Sequence, residues 1–180
     1  QTEFAHGNCA TAVEKHSEGA AWRNDPKTSG GTFVLGDLGT HALHLATLIT
    51  GQQVHQVSAD CQSFVEGRVL EDNAHVLLRF EGGAAGYLWA SGVAVGHRHG
   101  LAIRVFGSKA GIEWHQERPN QLLYSPLGET PLVLELDSPE LHPAAKRLLR
   151  VMAGHPEGYF EAFSNIYSDF AEALITRLSG

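Results

Sequence analysis

NAHVLLRFEGGAAGYLWASGVAV, residues 73–95, is the stretch on which the fold turns. Two strand-like runs, 73–83 and 84–95, abut at Glu81-Gly82-Gly83, a sequence suited to a tight hairpin. Outward along the chain the same arrangement recurs: LAIRVFG (101–107) and GIEWHQ (111–116) are joined by the short turn Ser108-Lys109-Ala110. Before them VHQVSADCQSFV (54–65) alternates, with Val57, Ala59, Cys61 and Val65 on one side and Gln56, Ser58, Asp60 and Gln62 on the other. Hairpin-linked strands imply an open, mostly antiparallel sheet. Helical segments flank this block, so the expected class is α+β, with helices packed on one sheet face and the other face free for oligomerisation.

The first flanking helix is GDLGTHALHLATLITG, residues 36–51. At 100° per residue Asp37, His41, His44 and Leu48 share one face, and Leu38, Ala42, Leu45, Ala46 and Ile49 the adjacent one. Asp37 suits an N-cap or first-turn position and Gly51 the residue just past the end, which predicts a helix from about 37 to 50. The last segment, GYFEAFSNIYSDFAEALITRLSG, aligns Phe160, Phe163, Tyr167, Phe170, Leu174 and Leu178 on one stripe and predicts an amphipathic terminal helix. Residues 7–35 are dense in turn formers, and 117–157 hold most of the prolines and are expected to cross the surface as short strands and loops.

Composition narrows the function. The chain has 180 residues, 43% hydrophobic and 18% charged, enough for one domain with a core of its own. A formal charge of -7 argues against a nucleic-acid groove or a basic membrane-facing surface. Cys9 and Cys61 are far apart and form no CxxC pair; with no signal peptide or long apolar run, the expected location is cytoplasmic. No GxGxxG follows a strand and no GxxxxGK[ST] occurs, so the chain supplies no phosphate-cradling loop. Gln1 to Phe4 reads as the middle of a strand, which suggests one domain of a longer chain.

Asp37 and His41, at i and i+4, can meet on a helix surface. A carboxylate beside an imidazole fixes its tautomer and favours its charged form, the tuning a general acid/base needs. The bland alternative is a capping aspartate and an ordinary histidine. Adding His44 gives three potential metal ligands, a weaker reading because no other ligand-like cluster accompanies them. Trp22 and Arg23 sit in the loop WRNDPKTSGG, where an aromatic face and a fork of donors suit a sugar or an acid. GHRHG (96–100) carries His97, Arg98 and His99, a cluster that is a solvated loop or a contact for a polar substrate, and HPEGYFEAF (155–163) carries His155, which can face a pocket or merely cap structure.

The order WRNDPKTSGG, GDLGTHALHLATLITG, VFGSKAGIEWHQERPNQL and GHPEGYFEAF resembles the C-terminal domain of the glucose-fructose oxidoreductase/inositol dehydrogenase (Gfo/Idh/MocA) family over nearly the whole chain. The resemblance implies that residues 1–180 are a substrate-binding and oligomerisation domain whose N-terminal Rossmann partner lies outside this chain. It implies hydride transfer between NAD or NADP and a sugar, polyol or related carbon, with no turnover by this domain alone. On the family motif His41 falls at the acid/base, Asp37 at its orienting carboxylate, Arg23 and Trp22 at a loop near the pocket, and His155 at a subgroup feature. His97 is expected to contact substrate. The family's catalytic lysine belongs to an E-K-P motif; Glu14-Lys15-His16 lacks the proline and is not that lysine. A homodimer or tetramer through the sheet is expected. The rival readings are a non-catalytic sugar-binding or assembly module, and a metal-dependent lyase or isomerase using Asp37, His41 and His44.

Overall fold

The computed structural model describes residues 1–136, 138, 139, 141–152 and 154–179. The hairpin reading holds: Asn73–Phe80 (β3) and Ala85–Ser91 (β4) pair antiparallel, and the Gly83 N–H donates to Phe80 O across the turn. Val54–Gln62 (β2) pairs with β3, and Gly100–Phe106 (β5) with Ala110–His115 (β6). Gln121–Pro126 (β7) and Leu132–Glu135 (β8) extend the same sheet. Thr2–Ala5 (β1) slots between β4 and β5, parallel to the first and antiparallel to the second. The sheet therefore has eight strands in the order β2-β3-β4-β1-β5-β6-β7-β8, with one parallel pair. The fold is α+β, as expected.

Strand alternation decides what is buried. Along β3, Ala74, Val76, Leu78 and Phe80 face inward, joined by Leu88 and Ala90 of β4, Phe4 of β1 and Ile103 of β5. Over this face lies the helix Thr40–Thr50 (α3), which buries Ala42 and Ala46. Two small residues let its backbone settle close to the sheet, and Thr2 Oγ1, 3.1 Å from Ala42 O and 3.2 Å from Ala102 O, locks strand to helix. Leu45 packs against the core, whereas Ile49 is 48% exposed. The helix ends where its sequence says: Gly51 takes φ 66° and donates to Thr47 O.

The helix begins differently from expectation. Leu35–Gly39 forms a π-helical turn running directly into α3, and the Asp37 N–H donates to Phe33 O. Asp37 thus takes the first-turn position, one of the two the sequence offered, rather than the N-cap. A widened turn of this kind leaves its carboxylate free of backbone duty and is frequent at functional sites.

Glu18–Asn24 (α1) and Pro26–Ser29 (α2) occupy the turn-rich region. Pro143–Lys146 (α4) precedes Tyr159–Ser179 (α5), the expected amphipathic helix. None of its residues is buried, so its stripe is displayed rather than packed; Phe160 is 80% exposed. Polar ties hold it to the segment after α4, with Arg147 Nη1 3.1 Å from Asp169 Oδ1 and Arg150 Nε 2.8 Å from Asn165 Oδ1. The sheet's other face is open, carrying the stacked His75 and Trp89 rings together with Leu77, Phe106 and Val133. No helix among the described residues is long and apolar enough to cross a membrane.

Candidate active site

The π turn, the end of β1 and helix α1 meet at one cavity of about 350 Å³. Phe4, Phe33 and Leu38 give it an apolar floor; His6, Asn8, Arg23, Asp37, His41 and His99 give it a polar rim. The volume falls in the small-molecule range of about 300–1,000 Å³. Each polar group arrives for a local reason. Asp37 projects from the widened turn, and the exposed His41 stands on the first α-helical turn after it, its ring edge-on to Phe4 at 5.8 Å.

Arg23 is delivered by α1. Its Nη1 donates to Gly19 O at 2.8 Å, one turn back, and its guanidinium lies 4.7 Å from the Trp22 ring centroid. Its Nε sits 3.4 Å from Asp37 Oδ2. That nitrogen is buried yet makes no hydrogen bond among the described residues, so it faces the carboxylate in charge contact only. Trp22 stands beside the main cavity, lining with Arg23, Phe33 and Asp37 a smaller hollow of about 200 Å³.

The expected Asp37–His41 pair is not closed. The two side chains make no hydrogen bond or ion pair among the described residues; Arg23 holds the carboxylate instead. They share the cavity wall without touching.

Sequence reasoning missed His6 and Asn8, whereas His99 belongs to the GHRHG turn it offers to a polar substrate. Gly7 brings the first two in: a Cβ there would stand 2.8 Å from Val95 Cα, so only glycine lets the backbone pass that close after β1. His6 is 8% exposed, and its Nδ1 accepts the Asn8 N–H at 3.3 Å. An accepting Nδ1 places the ring proton on Nε2, the neutral tautomer. Burial pushes the His6 imidazole below its ordinary range and neighbouring His99 adds to this, against the opposing pull of the backbone carbonyls of His6 and Gly92 and of Asp37. A histidine flanking a strand-end glycine was the available signal. His99, 6.1 Å from His6 between ring centroids, is held by its backbone: the N–H groups of Arg98 and His99 both donate to Glu117 Oε1. Those two N–H groups hold the Glu117 carboxyl below the usual carboxylate range.

His97, the expected contact in that loop, lies outside this cavity, edge-on to Trp89 at 5.9 Å. His155 is also outside it, its Nδ1 3.2 Å from Met152 O ahead of α5. His44 is exposed on α3, and no group of three His, Cys, Asp or Glu among the described residues is placed to hold a metal ion.

The family model described as "GFO/IDH/MocA C-terminal domain" matches residues 3–113, from β1 through α3 into β6. The chain belongs to the Gfo/Idh/MocA family. Within it, a Bacillus subtilis (strain 168) protein named uncharacterized oxidoreductase YfiI is 43% identical over 175 residues, covering 96% of this chain and 44% of the relative. A structure of an inositol dehydrogenase homolog from Azotobacter vinelandii complexed with NAD⁺ superposes with a TM-score of 0.90 at 46% identity, covering 94% of this chain and 44% of that one. A structure of an inositol dehydrogenase homolog from the same organism, complexed with NADH and myo-inositol, gives a TM-score of 0.84 at 44% identity, covering 94% and 43%. The chain therefore spans less than half the length of these Gfo/Idh/MocA relatives.

Proposed function

We propose that this chain is the substrate-side domain of a nicotinamide-dependent dehydrogenase acting on a cyclic polyol or sugar. One observation carries the reading: Asp37, His41 and Arg23, together with the neutral His6, converge on a single cavity with an apolar floor. A cyclic polyol has that same division, C–H faces that suit Phe4, Phe33 and Leu38 and a rim of hydroxyls that suits the polar groups. The relatives named inositol dehydrogenase homologs, with bound NAD⁺ or NADH, support the substrate class and NAD as cofactor.

Oxidation of a secondary alcohol removes a hydride from carbon and a proton from oxygen while a carbonyl forms. The nicotinamide supplies the hydride acceptor. His41 takes the proton on a ring nitrogen, an exposed imidazole on a rigid helix beside the cavity. Asp37 accepts a hydrogen bond from the reacting or a neighbouring hydroxyl, Arg23 donates to another, and His6 donates through Nε2–H. The sequence carries no glycine-rich dinucleotide turn, and the relatives with bound NAD⁺ or NADH are more than twice as long as the stretch this chain matches, which covers 44% and 43% of them. The cofactor is accordingly held by a Rossmann domain elsewhere in the full-length protein, and this chain alone does not turn over. The open sheet face is assigned to a dimer or tetramer contact.

The test is His41→Ala in the full-length protein with myo-inositol and related polyols, followed by NADH absorbance. A fall in kcat of at least ~10²-fold is expected for a lost general base. Wild-type turnover rejects the role.

A further inference from the structure

The turn that carries Asp37 starts without a cap of its own. Val34, at its N-cap, offers no side-chain hydrogen bond, and the first N–H groups of any helix need acceptors from outside it. For Phe33, Val34 and Leu35 they come from one distant residue. Glu71 Oε1 accepts the Phe33 N–H at 2.9 Å and the Leu35 N–H at 3.0 Å, while the backbone carbonyl of Glu71 takes the intervening Val34 N–H at 3.4 Å. Three successive N–H groups are gathered by a residue that does not itself line the cavity.

The acceptor is rigid because its neighbour is fixed. Asp72 is fully buried; its carboxylate accepts the N–H groups of Phe64 and Val65 and pairs with Arg68 at 3.0 Å. Its backbone ties to both flanking strands, N–H to Gln62 O at 3.0 Å and carbonyl to the Gly92 N–H at 2.8 Å. Leu35, which Glu71 holds, opens the π turn, and Asp37 and His41 follow on the same continuous helix.

The geometry points to Glu71 as a positioning residue for the catalytic face: it sets where the widened turn starts, and through it the placement of Asp37 and His41 in the cavity. This inference rests on the function proposed above. Both side-chain bonds go to one oxygen, so reach rather than charge is what the position requires. Glutamine keeps that oxygen; aspartate keeps the charge but falls short by one methylene.

Glu71→Gln and Glu71→Asp separate the two properties in the full-length enzyme, assayed with myo-inositol and NAD⁺ well below the melting temperature of each variant. Glu71→Gln is expected to stay within about threefold of wild type. Glu71→Asp is expected to lose about 10- to 100-fold in kcat, the scale of an ångström-sized misplacement. In a His41→Ala background the same Glu71→Asp change should cost clearly less in kcat, since groups acting as a unit are not additive and only the placement of Asp37 is left to lose. Wild-type kcat in Glu71→Asp, or an equal loss with and without His41, overturns the assignment while leaving the role of His41 intact. Unchanged turnover in His41→Ala alone overturns both.

Discussion

The Nε of Arg23 lies 3.4 Å from Oδ2 of Asp37, and both side chains are about two-fifths exposed. A pair this wet contributes about 0–1 kcal/mol to stability. On the proposed function it is a parked donor: Arg23 faces the carboxylate until a substrate hydroxyl competes for either group. Arg23→Met should leave the melting temperature nearly unchanged and raise KM by about 3- to 10-fold, the worth of one net hydrogen bond. Steady-state kinetics beside a thermal melt check it; a large loss of stability with KM unchanged would show a structural pair.

Arg68 is the opposite case. Its side chain is 0% exposed, as is that of its partner Asp72, and it also bonds Glu14 at 2.9 Å and the carbonyls of Cys9 and Thr11. Burial pushes the Glu14 carboxyl up, but the Arg68 hydrogen bonds and charge outweigh this and hold it below the usual carboxylate range. Arg68→Met strands a buried carboxylate and two carbonyls, so a loss of about 3–5 kcal/mol is expected in denaturant titration. A loss below about 1 kcal/mol would mean that the network is solvated.

Much of this fold was legible because the signals were local. The Glu81-Gly82-Gly83 hairpin, the alternation of β2 and the Gly51 stop all depend on residues within a few positions of one another. What was not legible depends on distance. β1 is four residues long and enters mid-sheet beside β4, a pairing that no periodicity announces. The π turn is held by Glu71 from 36 and 38 residues away, so the sequence left Asp37 between N-cap and first turn, and the acceptors that settle it stand elsewhere in the chain.

The site divides the same way. Asp37, His41, Arg23 and Trp22 were found from motif order and do assemble around adjoining hollows. Their expected hydrogen bond fails because spacing reports which face a residue is on, not which partner its carboxylate prefers. In GHRHG it is His99, not His97, that lines the cavity, and the Arg98 and His99 N–H groups are anchored on Glu117, 19 and 18 residues further on, a tie that local spacing does not report.

Gly51 gives a clean measure of helix termination. Its φ is 66°, and a Cβ there would meet nothing within 4 Å, so substitution costs backbone strain alone. Gly51→Ala should destabilise by about 1–2 kcal/mol and Gly51→Asn by less, since Asn tolerates the left-handed region. Equal losses in thermal unfolding would point to a steric clash instead.

His6 makes stability depend on pH in a defined direction. Burial, then His99, lowers its folded pKa below the ordinary value of about 6.5, with Asp37 and the carbonyls of His6 and Gly92 opposing. Between the lowered value and about 6.5 the unfolded chain binds more protons than the folded one, so stability rises with pH through that window. The contribution is complete above about pH 6.5 and drains away on acidification. Glutamine at this position cannot titrate, so the melting temperature of wild type relative to His6→Gln should fall between about pH 7 and pH 5. A difference that stays constant across the range would place a charged or solvent-exposed imidazole at residue 6, and with it remove the neutral Nε2–H donor from the rim of the cavity.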